Sequence, residues 1–309
     1  MTSPANNKTV IFIVGPTAIG KTGLAVKLAR RLGGEIISAD SMQVYKGMRI
    51  LSQYPTAAER RAARHHLVEL LDPRKEYSVA AFIKKASSLI ASITKRKNIP
   101  IVAGGSGLYV KGLVDGLFSS PAADLKFRKS MQKFAARHGS KSLHSRLLKI
   151  DPRSAGMIHP NDLRRVVRAL EIYHSTGRTM TELKASTRGL KERYNIKIFG
   201  LTGPREDIYS RINGRVDRMF REGVLGEVER LRRKKLSKTA QEVLGLGEIS
   251  GYLEGLYGLD IAKEMLKMNT RRFAKRQLSW FRADKRIKWF DVSRMEDEAM
   301  IKKIARGSG

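Results

Sequence analysis

Eight residues constrain this chain more than any others: Gly15-Pro16-Thr17-Ala18-Ile19-Gly20-Lys21-Thr22 fits the phosphate-loop pattern of Gly, four variable residues, Gly, Lys and Ser or Thr. The pattern has structural meaning only between a strand and a helix, and both flanks comply. Val10 to Val14 is a short apolar, β-branched run that reads as a buried strand, and from Thr22 to Leu32 apolar residues recur at helical spacing up to the stop signal Gly33-Gly34. Glycine lets such a loop wrap closely, so that backbone N–H groups and the helix N-terminus face an anion. Lys21 adds a positive point charge, and the Thr22 hydroxyl can hold Mg²⁺.

A second strand, Glu35 to Asp40, ends in a carboxylate, and a third, Ile99 to Ala103, runs into the glycine-rich turn Gly104-Gly105-Ser106-Gly107. In an open α/β sheet, ligands collect beyond the C-terminal ends of the strands, which puts Gly15 and Asp40 at one site. Local sequence leaves Asp40 three roles: Mg²⁺ ligand, general base or helix N-cap. The adjacent His65 and His66 point to opposite sides of a strand and read as structural or substrate-facing, not as a metal pair. Ser78 to Lys97 carries apolar residues at helical spacing. Ile196 to Leu201 reads as a further strand, followed by Pro204 and a helix through Ile208, Ile212, Val216 and Met219. That helix also carries Arg211, Arg215 and Arg218, at least one of which can reach back toward a phosphate.

These readings predict an α/β fold, a P-loop NTPase-like parallel sheet flanked by helices, with strands near residues 10, 36, 101, 198 and 288. From residue 119 to 195 the alternation of strand and helix stops, and the segment reads as an inserted, mainly helical subdomain between the core segments 1–118 and 196–309. Asp151-Pro152-Arg153 and His159-Pro160-Asn161-Asp162 mark helix boundaries within it. Beyond the second, Arg164 and Arg168 share a helix face opposite Val166, Val167 and Leu170.

Charge points to the partner. Sixty-one lysines and arginines against 29 aspartates and glutamates give a formal net charge of +32, the balance of a chain that binds polyanions. Thr270 to Trp289 concentrates it: Arg271, Arg272, Lys275, Arg276, Arg282, Lys285, Arg286 and Lys288 stand against Asp284 alone, interleaved with Phe273, Trp280, Phe281 and Trp289. Arginine for phosphates with aromatics for stacking is the composition of a surface that holds unstacked nucleotides. The absence of cysteine excludes disulfides and thiolate zinc sites and agrees with a cytoplasmic protein. No apolar run approaches the roughly 20 residues that span a membrane, and the polar stretch Met1 to Lys8 lacks a signal-peptide core.

Six stretches together resemble the bacterial and organellar tRNA dimethylallyltransferase family: GPTAIGKT, ISADSMQVYKGM, AGGSGLYVKGL, HPNDLRRVVRALEIY with STGR, RVDRMF followed by GVLGEV, and TRRFAKRQLSWFR. They span most of the chain in family order. The resemblance implies transfer of a dimethylallyl group from dimethylallyl diphosphate to N6 of the adenosine beside the anticodon, with the loop Gly15 to Thr22 on the donor's diphosphate and Mg²⁺ near Thr22. It makes Asp40 the base, Thr17 the loop threonine near the reacting centre and Arg215 the helix arginine on the diphosphate. It further implies tRNA contacts from Asp40, Ser41, Met42 and Gln43, from Ser106, from Arg128, from Arg164, Arg165 and Arg168, and from Lys275, Arg276, Gln277, Trp280 and Arg282. The expected partners are a tRNA anticodon stem-loop and dimethylallyl diphosphate, the expected state a monomer.

Two segments depart from the family pattern. Leu244-Gly245-Leu246-Gly247-Glu248 replaces the usual Ile-Gly-Tyr-Lys-Glu, and Ile50-Leu51-Ser52-Gln53 replaces Ile-Gly-Thr-Ala. The segment from Thr176 to Tyr194 is short and basic, and no zinc finger follows. The competing readings are an adenylate isopentenyltransferase, opposed by the +32 charge, a small-molecule kinase, and a non-catalytic RNA-binding protein, which gives the phosphate loop no purpose.

Overall fold

The computed structural model describes residues 8–118 and 121–306. Residue 119, where the composition opens the insertion, lies outside the described residues, as does most of the polar N-terminal stretch. The chain divides into two compact units: one comprises residues 1–114 and 190–309, the other residues 115–189.

The first unit is built on six parallel strands: β1 (Thr9–Val14), β2 (Gly34–Ser38), β3 (His65–His66), β4 (Ile99–Gly104), β5 (Asn195–Thr202) and β6 (Lys288–Asp291), in the order β3-β2-β4-β1-β5-β6. Central β1 pairs with β4 (Phe12 opposite Val102) and with β5 (Phe12 opposite Ile198). A strand covered on both faces must be apolar throughout, which explains the unbroken run from Val10 to Val14. Alternate side chains enter two separate cores. Val10, Phe12 and Val14 pack with Phe82, Ala86, Ile90 and Ile93 of the helix Val79–Lys95, whereas Ile11 and Ile13 pack with Leu24, Leu28, Ile208 and Ile212.

Five of the strands stand where the sequence puts them. The sixth, β3, is two residues long, below the length at which alternation is readable, and ends where Leu67 turns to φ +61°. The histidines on it are structural: His65 Nδ1 lies 2.9 Å from Ala63 O, and His66 Nε2 lies 2.7 Å from Glu35 Oε2. Glu35 is buried, and Arg96 and Asn98 also donate to it.

The second unit is helical: Leu125–His138, Ser140–Ile150, Pro152–Met157, Leu163–Thr176 and Met180–Ala185. The boundaries follow local chemistry. Asp151 caps the helix opened by Pro152, and Asp162 accepts the Arg165 N–H at the start of Leu163–Thr176. Leu143, Leu147, Val166, Val167 and Leu170 form its core.

Candidate active site

The loop Gly15 to Thr22 leaves β1 and enters the helix Lys21–Leu32. Gly15 (φ +145°) and Gly20 (φ +102°) take backbone conformations that side chains disfavour, and a Cβ on Gly15 would stand 2.7 Å from the Leu201 carbonyl oxygen of β5. Ala18 joins them at φ +66°. Inside the loop, Lys21 Nζ donates to the Pro16 carbonyl at 2.7 Å, and Ile19 turns into the core. These backbone conformations and the Lys21 bond give the loop its ring shape.

Asp40 follows β2, which is separated from β1 and its loop by β4. Its Oδ1 accepts the Met42 N–H at 2.8 Å, an Asx turn that aims the carboxylate instead of capping a helix. Gly104 brings β4 against this bend, because a Cβ there would collide with the backbone of Ala39. Ser106 is thereby placed beside Asp40: its N–H donates to Ala39 O at 3.2 Å, and its Oγ accepts the Ser41 N–H at 3.2 Å. Gln43 accepts from Ser38 Oγ at 2.7 Å and donates to Gln53 O at 2.9 Å, holding the segment that departs from the family pattern. Glu227, which the sequence does not single out, holds the same segment by accepting the N–H groups of Ile50 and Leu51.

Of Arg211, Arg215 and Arg218 on the helix Arg205–Arg221, Arg215 reaches the loop, donating to Thr17 Oγ1 at 2.9 Å. Thr17, Lys21, Thr22, Asp40, Ser106 and Arg215 all line one cavity of about 890 Å³, as do Met42, Gln43 and Arg276. Its electrostatics are those of an anion site facing a carboxylate. Burial, with the charge of Arg215, brings Lys21 down to about 7, against the pull of Asp40. Burial likewise lowers Arg215 to about 10. Asp40 is raised above its ordinary value by burial, against the opposing Met42 N–H and Lys21 charge. Two desolvated cations and one desolvated carboxylate are poised for a ligand that carries several negative charges at one end.

The helix Leu259–Arg282 supplies the last wall. Lys275, Arg276, Trp280 and Arg282 are exposed on it, Trp280 at 39%, while Phe281 is buried. Gln277 does not join the exposed set: it is 6% accessible, its Oε1 accepts the Thr17 N–H at 2.8 Å and its Nε2 donates to Gly105 O at 3.0 Å. The signal was present in the sequence, since Thr270, Ala274, Gln277 and Phe281 share one helical face. The glycines of the turn after β4 exist for this helix. A Cβ on Gly105 would collide with Gln277 Nε2, and one on Gly107 with the indole of Trp280.

In the helical unit the arginines divide. Arg164 and Arg165 are exposed, Arg165 lying 3.3 Å from Asp162. Arg128 and Arg168 instead converge on the fully buried carboxylate of Glu171, Arg128 with both oxygens at 2.9 Å, and Arg168 also donates to Pro121 O at 3.0 Å. Of the two departures from the family pattern, Leu244 to Glu248 leads into a helix: Leu246 is buried, and Glu248 accepts from Gly245 N–H and from Asn269 Nδ2.

The IPP transferase family model matches residues 43–284, a span that begins after the phosphate loop and Asp40. Over nearly their whole lengths, the chain is similar to proteins called tRNA dimethylallyltransferase. It is 46% identical to that of Halothermothrix orenii over 97% of this chain and 94% of the relative, and 44% identical to that of Bacillus subtilis over 95% and 94%. Among solved structures, the full-length tRNA isopentenylpyrophosphate transferase of Bacillus halodurans superposes with a TM-score of 0.72 at 40% identity, covering 97% of this chain and 96% of that one. A eukaryotic dimethylallyltransferase acting on tRNA superposes with a TM-score of 0.79 at 29% identity, covering 96% of this chain and 77% of that one.

Proposed function

The chain belongs to the IPP transferase family, and from that membership and its site we propose that it transfers a dimethylallyl group from dimethylallyl diphosphate to N6 of the adenosine beside the anticodon of tRNA, releasing diphosphate. The observation that carries this reading is a single cavity in which a carboxylate, Asp40, faces a phosphate loop backed by Lys21 and Arg215.

In the reaction the allylic carbon–oxygen bond breaks, a carbon–nitrogen bond forms at N6, and one N6 proton leaves. Charge develops on the departing diphosphate, where loop N–H groups, Lys21 and Arg215 are already fixed and need no reorganisation. Arg215 donates into the Thr17 oxygen, so the Thr17 hydroxyl retains its own hydrogen for the leaving group. An exocyclic adenine amine is a weak nucleophile, and Asp40 accepts its proton as the new bond forms. The target base, stacked in its loop, is turned out to enter the cavity.

The donor set suits Mg²⁺. A threonine hydroxyl at the loop and a nearby carboxylate are hard oxygen ligands, and Mg²⁺ characteristically takes few of them, filling its shell with water and phosphate oxygens. Thr22 would hold the ion, which supplies charge neutralisation at the diphosphate. The exposed Lys275, Arg276, Trp280 and Arg282 provide cations and a stacking surface for the anticodon arm. We take a monomer as the working unit and the cytoplasm, where tRNA is found, as its compartment. No helix among the described residues is long and apolar enough to cross a membrane.

The test is transfer of labelled dimethylallyl from its diphosphate to an anticodon stem-loop with adenosines after the anticodon, run beside AMP and ATP, with wild type and Asp40→Ala. Label on the stem-loop that depends on Asp40 supports the reading. Label on free nucleotides alone moves the protein to adenylate prenylation, and ATP hydrolysis without transfer sinks prenyl transfer altogether.

A further inference from the structure

Gln277 sits among residues whose composition suits RNA, on the helix Leu259–Arg282, yet its amide faces the opposite way. Its two ends are used on two different segments of the active site, the Thr17 N–H of the phosphate loop and the Gly105 carbonyl of the turn after β4. The pairing also fixes which end is which, because the backbone N–H can only donate and the carbonyl can only accept. Both partners are backbone groups, so the contact sets the spacing of the two segments and not merely the rotamer of a side chain.

The contact is built from both sides. Gly105 leaves the room that Gln277 Nε2 occupies, and one turn further along the helix Gly107 leaves the room for Trp280. Lys275, Arg276 and Trp280, its neighbours in sequence, are exposed. The helix is thus keyed into the site through Gln277 and the inner edge of Trp280, while Lys275, Arg276 and the rest of the indole remain accessible to a polyanion. Thr17, at the far end of the bond, has its hydroxyl engaged by Arg215, so its backbone and side chain are each held by a different helix.

We propose that Gln277 is a positioning residue for prenyl transfer: it aligns Thr17 with the donor diphosphate and makes that alignment depend on the helix whose outer face meets the RNA. The proposal rests on the function proposed above. Seating RNA on Lys275, Arg276 and Trp280 then steadies the helix, and through Gln277 the loop on which the leaving group departs. A role as a direct RNA contact makes the opposite kinetic prediction, since it would appear in the affinity for RNA and not in turnover.

The experiment is steady-state transfer to the anticodon stem-loop by the full chain as wild type, Gln277→Met, Thr17→Ala and the double variant. Met keeps the length of the side chain and removes both hydrogen bonds. For Gln277→Met we expect kcat to fall about tenfold to a hundredfold, with KM for the stem-loop changed less than about threefold. The double variant should be slower than Thr17→Ala by no more than about threefold, since both changes act on one residue. A raised KM with kcat kept, or losses that multiply in the double variant, overturns the proposal. Gln277→Glu retains an acceptor toward Thr17 and should recover part of kcat; no recovery relative to Gln277→Met overturns the assignment to the Thr17 N–H. If Gln277→Met does not fold, Gln277→Glu and its double variant with Thr17→Ala carry the same comparison. Wild type that prenylates the stem-loop while the variants behave otherwise fails this proposal alone, whereas wild type that leaves the stem-loop unmodified sinks the functional reading with it.

Discussion

The guanidinium of Arg215 donates to the hydroxyl oxygen of Thr17 at 2.9 Å, joining two segments 198 residues apart in sequence. The bond orients the threonine hydroxyl and places a desolvated cation beside the phosphate loop. A lysine at 215 keeps the charge but loses the planar donor that fixes Thr17. Arg215→Lys should therefore lower kcat about a hundredfold, with a smaller change in KM for dimethylallyl diphosphate, the order of losing one preorganised donor. Steady-state kinetics on the stem-loop substrate check it, and wild-type turnover in the variant would refute it.

Lys21 gives a proton-linkage prediction. Burial, with the repulsion of Arg215, brings it down to about 7, so near neutral pH the free site holds it only partly charged. A bound diphosphate favours the charged form and restores the proton. Donor binding at pH 8 should then take up a proton, while binding at pH 6, where Lys21 is already charged, should take up little. Titration calorimetry in buffers of different ionisation enthalpy measures it, and Lys21→Met should remove the uptake at pH 8.

Asp40→Asn should leave donor binding within a few-fold and slow transfer by about a hundredfold or more, because it removes the proton acceptor and keeps the shape. The pH profile carries the sign. Burial raises the Asp40 carboxyl, and the reacting form is the carboxylate, so transfer falls as pH drops through a value above that of an ordinary aspartate. A single-turnover profile whose acid limb is unchanged in Asp40→Asn would count against the base assignment.

The helical unit depends on Glu171. Its carboxylate has no exposed surface and is held by Arg128, Arg168 and the Asp124 N–H, which together depress it to about 2. Glu171→Ala leaves two arginines without their partner and should destabilise this unit by about 2–4 kcal/mol. For wild type, a depressed carboxyl contributes its full stabilisation above about pH 4.5 and loses it as pH falls toward 2. Hydrogen exchange across the helices Leu125–His138 and Leu163–Thr176 reads both effects.

The phosphate loop and the strands around it were legible because their signals are local. Gly15 and Gly20 need left-handed backbone, and β1 needs an unbroken apolar run, so both appear in consecutive residues. Asp40 was legible as a carboxylate at a strand end, but its Asx turn depends on where Met42 goes. The roles of Arg168 and Gln277 were not local. Each lies in a basic run that suits RNA, and in each case a buried group elsewhere in the chain, Glu171 or the Thr17 N–H, turns the side chain inward. Burial of a polar side chain among charged neighbours is visible only once the helix face is known, and the stripe of Ala274, Gln277 and Phe281 is the one clue sequence offers.

The central position of β1 also dictates how this molecule comes into being. The strand forms within the first residues to be synthesised, yet one of its two edges is closed by β5, whose residues Asn195 to Thr202 follow the whole helical insertion. Until the ribosome has delivered them, one edge of a wholly apolar strand stays open to wrong partners, and the phosphate loop lacks the Leu201 backbone that backs Gly15. Synthesis paused before Thr202 should therefore yield an aggregation-prone nascent chain unable to hold a diphosphate, and competence should arrive abruptly, late in translation.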